Sequence, residues 1–169
     1  WAEAERLFAD NRPLLAYVRH CGDLVGKVLT GGESPLETLF PGGSFDLAEG
    51  LYERSATMRY VNDVAAAAVG ALASAVAPGG KLRVLEVGAG TGGTSAALLP
   101  PLAGGEARYR YTDVSDVFLE RAQRRFEAYP FIDYARFDLD QAPEAQGYAP
   151  GQFDLIVAAN AVHATRNLR

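Results

Sequence analysis

The strongest constraint in this chain is a short apolar run, Leu82, Val84, Leu85 and Val87, that breaks into a loop carrying Gly88, Gly90, Gly92 and Gly93. A helix-compatible segment, Thr94 to Leu99, follows at once. A brief apolar run bounded by turn residues reads as a strand buried in a parallel sheet. Glycine lets the backbone turn sharply there, and it lets a ligand reach main-chain N–H groups that a Cβ would shield. Strand, glycine turn and helix in that order open a nucleotide-cofactor fold.

Two cofactors compete for such a loop. Gly88, Gly90 and Gly93 satisfy G-x-G-x-x-G, and Asp113 sits at about the ~20-residue offset of a ribose-binding acid. Dinucleotide and S-adenosylmethionine enzymes share that pattern. Glu86, just ahead of the first glycine, tips the balance. A carboxylate at the strand end would repel a dinucleotide's pyrophosphate, whereas it suits the sulfonium and ammonium of S-adenosylmethionine. The pattern Glu86-x-Gly88-x-Gly90-x-Gly92 therefore favours S-adenosylmethionine.

Composition removes other classes. Of the 169 residues 49% are hydrophobic, enough for one domain with a buried core. A net charge of -5 gives no basic footprint for nucleic acid. No apolar run approaches the ~20 residues of a membrane span, and no signal peptide is visible. The single cysteine, Cys21, forms no internal disulfide, which fits a reducing, cytoplasmic compartment, and its apolar helical context reads as a packed thiol. The two histidines lie far apart with no H-x-x-x-H or C-x-x-C spacing, so no metal site is expected.

Residues 1–55 read as a punctuated helical subdomain, with turns at Gly31-Gly32 and Pro41-Gly42-Gly43. Leu51 to Ala77 reads as a long alanine-rich helix or helix pair stopped by Pro78-Gly79-Gly80. Residues 56–169 then hold the alternating part: strands at Leu82–Val87, Arg108–Thr112, Ile132–Leu139 and Phe153–Ala159. Helices fall at Thr94–Leu102, losing regularity at Pro100-Pro101, and after Ser115, a plausible N-cap. Alternating strands and helices imply an α/β fold with a parallel, doubly wound sheet. The fourth strand is apolar enough to be buried on both faces at mid-sheet, and would stand near an edge in a chain that stopped at Arg169. The chain begins without methionine and ends abruptly at Arg169, so a segment of a longer polypeptide, its C-terminal strands missing, is expected.

Taken together, Leu85–Thr94, Tyr111-Thr112-Asp113-Val114-Ser115, Phe153-Asp154-Leu155-Ile156-Val157 and Asn160-Ala161-Val162-His163-Ala164-Thr165 resemble the C-methyltransferase domains of polyketide synthases. Pro35–Ser44 looks like that family's N-terminal helical subdomain. The resemblance implies a Rossmann-like class I methyltransferase core with a helical lid. It implies methylation of the α-carbon of a β-ketoacyl thioester carried by an acyl carrier protein, beside neighbouring synthase domains. Gly88 and Gly90 would admit the methionine part of S-adenosylmethionine, with Glu86 in support. Asp113 would take both ribose hydroxyls, Asp138 and Leu139 would meet the adenine, and Asn160 would border the methionine moiety. Tyr52 and Tyr60 read as lid residues, Tyr52 closing over the cofactor, with core packing as the alternative for each.

Methyl transfer to carbon requires an in-line arrangement and a nucleophilic carbon. The resemblance assigns His163 as the general base, oriented by a glutamate beyond Arg169. The competing reading is a structural histidine capping a helix. His20 reads as a surface or lid histidine. Rival functions are an assembly-line O-methyltransferase, a non-catalytic methyltransferase-like spacer, and NAD(P)-dependent reduction, which Glu86 disfavours.

Overall fold

The computed structural model describes residues 1–76 and 79–166. The expected helix stop at Ala77-Pro78 and the last three residues lie outside them. The chain divides into two units, Trp1–Asp63 and Val64–Arg169.

The N-terminal unit is helical. It holds α1 (Ala2–Leu7), α2 (Arg12–Leu29), a short α3 (Asp46–Glu49), a π-helical turn at Gly50–Arg54 and the start of α4 (Ala56–Ala75). Pro13 stands in the first turn of α2, where a missing N–H breaks no intrahelical bond. Just before it, buried Asn11 accepts from Ala56 N–H at 3.1 Å and ties the starts of α2 and α4 together. Ser55 adopts an extended backbone that separates the π turn from α4, so Leu51 to Ala75 is a helix pair. Its hydroxyl oxygen accepts from Met58 N–H at 3.3 Å, an N-terminal cap for α4.

The C-terminal unit is an α/β sandwich. Strands β1 (Leu82–Glu86), β2 (Ala107–Asp113), β3 (Ile132–Arg136) and β4 (Leu155–Val157) form a parallel sheet in the order β3-β2-β1-β4. Helices α5 (Gly93–Leu102) and α6 (Asp116–Arg125) make the crossovers. The order reverses at β1, so the carboxyl ends of β1 and β4 flank the switch point where such sheets bind ligands.

The core lies on one face of the sheet. Val84, Leu98, Leu99, Leu102 and Tyr109 have no exposed surface and pack with Val69 of α4, Leu119 and Phe126. Each fully buried leucine contributes roughly 1.5–3 kcal/mol of transfer free energy. Leu85, Val87, Phe137 and Tyr148 form a smaller cluster on the opposite face.

Three expected elements differ. Strand β4 is only three residues long, shorter than the expected Phe153–Ala159, and stands at the sheet edge with Ile156 63% exposed. Its partner among the described residues is β1, paired through Val84–Glu86, with Val87 N–H donating to Val157 C=O at 2.8 Å and Asp154 N–H to Arg83 C=O at 2.9 Å. Strand β3 ends at Arg136 rather than Leu139, because the chain turns into a loop at Phe137–Asp140. Helix α5 runs through Pro100 and Pro101 without breaking. Both lie in its last turn, where each lacks the N–H that would bond the carbonyl four residues back, Ala96 and Ala97.

Candidate functional site

The glycine loop is shaped from behind. Gly88, Gly90 and Gly92 all have positive φ. At Gly92 (φ +80) a Cβ would stand 2.8 Å from the ring of Phe126, so the core forbids a side chain there. At Gly88 (φ +63) a Cβ would meet Ala161 Cβ at 2.6 Å. Gly90 (φ +58) is different: a Cβ there would meet nothing closer than 4.0 Å.

The end of β2 grips this loop. Tyr111 Oη–H donates to Gly90 C=O at 2.8 Å, and Ala89 N–H donates to Thr112 C=O at 2.9 Å. Thr112 Oγ1 donates to the Glu86 carbonyl at 2.6 Å. From α6, the Arg125 guanidinium donates to Thr91 C=O at 3.1 Å. Tyr109 and Tyr111 both lie in β2 and are fully buried. Alternation places them on the core face, where Tyr111 reaches back to the loop.

Asp113, buried at the end of β2, accepts from Gly90 N–H through Oδ2 and from Ser115 N–H through Oδ1, both at 2.9 Å. An ionised carboxylate has about four lone-pair sites, so about two remain for a ligand. Ser115 N-caps α6 in position only, for its hydroxyl makes no cap bond.

Beside this loop is a cavity of about 450 Å³, within the roughly 300–1,000 Å³ span of small-molecule sites. Of the expected site residues, Gly88, Asp113, Asp138, Leu139 and Asn160 line it. They come from the carboxyl ends of all four strands and converge as the topology requires. Asn160 follows β4 with φ 53, a left-handed backbone that asparagine tolerates better than most residues. Sequence reasoning missed Asp140 and Thr165, which also line the cavity. Asp140 accepts from Arg166 N–H at 2.9 Å, which joins the loop after β3 to the segment after β4.

Glu86, Gly90, His163 and Tyr52 do not line the cavity. Glu86 is 1% exposed, and its carboxylate accepts from Ser95 Oγ–H at 2.5 Å and Tyr109 Oη–H at 2.7 Å. Strand alternation explains this, since Glu86 shares the core face with Leu82 and Val84. The repulsion of a pyrophosphate expected from its charge is therefore replaced by a buried hydrogen-bond node under the loop. Burial pushes the Glu86 carboxyl above the usual range, the charge of Asp113 adds to this, and the two hydroxyl donors oppose it. Gly90 contributes its N–H to Asp113 instead. His163 lies exposed on a single 3-10 turn, Val162–Ala164, flanked by the cavity-lining Ala161 and Ala164. Tyr52 belongs to the N-terminal unit, where its carbonyl accepts from Asn62 Nδ2 at 3.3 Å. Among the described residues no group of three or more His, Cys, Asp or Glu side chains is placed to hold a metal ion. No helix there is long and apolar enough to cross a membrane.

Residues 85–169 match a family described as a methyltransferase domain. The chain is 44% identical over 158 residues to the polyketide synthase ThaG of Burkholderia thailandensis, covering 91% of this chain and 3% of that protein. It is 39% identical over 172 residues to the polyketide synthase PksR of Bacillus subtilis, covering 96% and 7%. The solved CurJ carbon methyltransferase matches with TM-score 0.89 at 32% identity, over 99% of this chain and 44% of that one. The CMeT domain of the citrinin polyketide synthase matches with TM-score 0.85 at 31% identity, over 97% and 45%. The trans-methyltransferase CalH, solved in complex with SAH, matches with TM-score 0.70 at 32% identity, over 92% and 42%. The chain thus spans a small part of these synthases and under half of each solved structure.

Proposed function

Because the chain belongs to the methyltransferase-domain family, we propose that it uses S-adenosylmethionine to methylate the α-carbon of a β-ketoacyl thioester. The thioester is held by an acyl carrier protein, in the cytoplasm, beside the other domains of a polyketide synthase. The observation that carries this reading is the convergence of Gly88, Asp113, Asp138, Leu139 and Asn160 on one cavity at the carboxyl edge of the sheet. The likeness to the CurJ and citrinin synthase methyltransferases supports carbon as the acceptor.

The residues present fit the cofactor. Asp113 keeps acceptor capacity for the paired ribose hydroxyls after serving Gly90 and Ser115. Asp138 and Leu139 offer a carboxylate for the adenine amine and an apolar flank for the ring. Asn160 borders the methionine part, and Gly88 lets the backbone come close to it. When bound, S-adenosylmethionine supplies an electrophilic methyl group on a sulfonium.

The chain's own work is then positional and protolytic. A hydrogen between a ketone and a thioester is acidic enough for an imidazole, which is both basic and largely neutral near pH 7. His163, on the turn beside the cavity, takes that proton and leaves a carbanion or enolate aimed at the methyl donor. Glu86 acts from below, through the strand end that carries the glycine loop.

The test is intact mass of a carrier protein loaded with a β-ketoacyl group, incubated with S-adenosylmethionine and the intact enzyme. Wild type is expected to add one methylene equivalent. His163→Ala is expected to lose about 10²–10⁴-fold in rate while still binding cofactor. Unchanged mass with wild type, despite cofactor binding, would turn the reading toward another acceptor. A product whose methyl is released by mild acid would mark an enol ether and an O-methyltransferase. Absence of cofactor binding would leave a structural domain.

A further inference from the structure

Gln146 closes the last turn of a 3-10 segment, Pro143–Gln146, that no functional motif covers. Its carboxamide spans the backbone of Asp138 on both sides. Oε1 accepts from Asp138 N–H at 2.7 Å, and Nε2 donates to Asp138 C=O at 2.9 Å. The same Nε2 donates to Gln141 C=O at 3.3 Å. The amide's orientation follows from its partners, since the N–H requires the oxygen and the carbonyl requires the nitrogen. A side chain thus stands in for the strand that Asp138 lacks beyond the end of β3.

The clamp has a consequence for the Asp138 side chain. With its backbone pinned, Asp138 Oδ1 accepts from Asp140 N–H at 2.9 Å. This fixes one carboxylate oxygen of a residue that lines the cavity. A carboxylate oxygen held this way accepts from an amine and rejects a carbonyl oxygen. We propose that Gln146 is a positioning residue that sets base selectivity, holding Asp138 so that the site takes a 6-amino purine and refuses a 6-oxo one. This rests on the reading that Asp138 meets the adenine of the methyl donor.

The test uses the intact protein as wild type, Gln146→Ala and Gln146→Glu, titrated calorimetrically with S-adenosylhomocysteine and with S-inosylhomocysteine. Wild type is expected to favour the adenosyl ligand. Gln146→Ala removes all of the clamp's bonds and is expected to weaken adenosyl binding by about tenfold, with the inosyl ligand little changed. The preference therefore collapses. Gln146→Glu keeps the acceptor for Asp138 N–H but loses the donor, so its preference is expected to fall between the two. Should Gln146→Ala fail to fold, that intermediate value still decides the matter. An equal loss for both ligands would mark a merely structural glutamine and overturn the proposal, as would an unchanged ratio. Wild type that binds neither ligand would overturn the cofactor reading itself, a distinct result.

Discussion

Glu86 brings a carboxyl group against a core of aliphatic and aromatic side chains, and its ionisation carries a stability consequence. Its folded ionisation lies above the unfolded one, chiefly through burial. Such a group contributes stability that is fully present below the unfolded value and is lost as pH rises through the folded value. Glu86→Gln keeps an acceptor for Ser95 and Tyr109 but has no charge to bury. The variant is therefore expected to gain melting temperature relative to wild type as pH is raised from about 4, the unfolded carboxylate range. Parallel curves across the whole range would mean that Glu86 ionises alike in the folded and unfolded chain. At this scale the sequence was partly legible. Asp113 could be placed from its spacing to the glycine loop, while Asp138 and Asn160, which lie in the segments after β3 and β4, were placed by the family resemblance. Glu86 was misplaced because its position along the strand was weighed and its face of the sheet was not. His163 could be placed beside the cavity but not in it.

The strand–loop–helix unit from β1 to α5 separates two uses of glycine. Gly88→Ala is expected to lose about 1–2 kcal/mol to the left-handed backbone and about 1–3 kcal/mol more to the collision with Ala161. Gly90→Ala meets no neighbour, so only the backbone cost applies. Urea denaturation of the two variants should show that order, and equal losses would mean that Ala161 moves aside. Strand and helix positions were readable to within a few residues, since period and glycine punctuation are local signals. The length of β4 was not, for it depends on the neighbour a strand finds. Nor was the Gln146 clamp readable: a loop side chain that binds a backbone eight positions away leaves no periodic trace. Tyr111 and Arg125 hold the loop by contacts of the same kind.

At the scale of the molecule, the cavity gathers its walls from β1, β2, β3 and the segment after β4, so one ligand touches every strand end of the C-terminal unit. S-adenosylhomocysteine at a hundredfold over its Kd is expected to stabilise the folded state by about 2.7 kcal/mol. Hydrogen exchange should slow at the glycine loop, at Asp113–Ser115 and at Asp138–Asp140 together, and protection of only one of these would argue against a shared site. The cavity already collects Asp113, Asp138 and Asp140, and this bears on the left-handed turn at Asn160. Glycine would relieve that backbone, yet no single base change converts an asparagine codon into a glycine codon. The shortest paths pass through aspartate, which adds one more negative charge to the cavity, or through serine, which tolerates the turn poorly. Asparagine thus joins a backbone it tolerates to a neutral carboxamide at the rim of an acidic cavity, a pairing that neither glycine nor aspartate would keep.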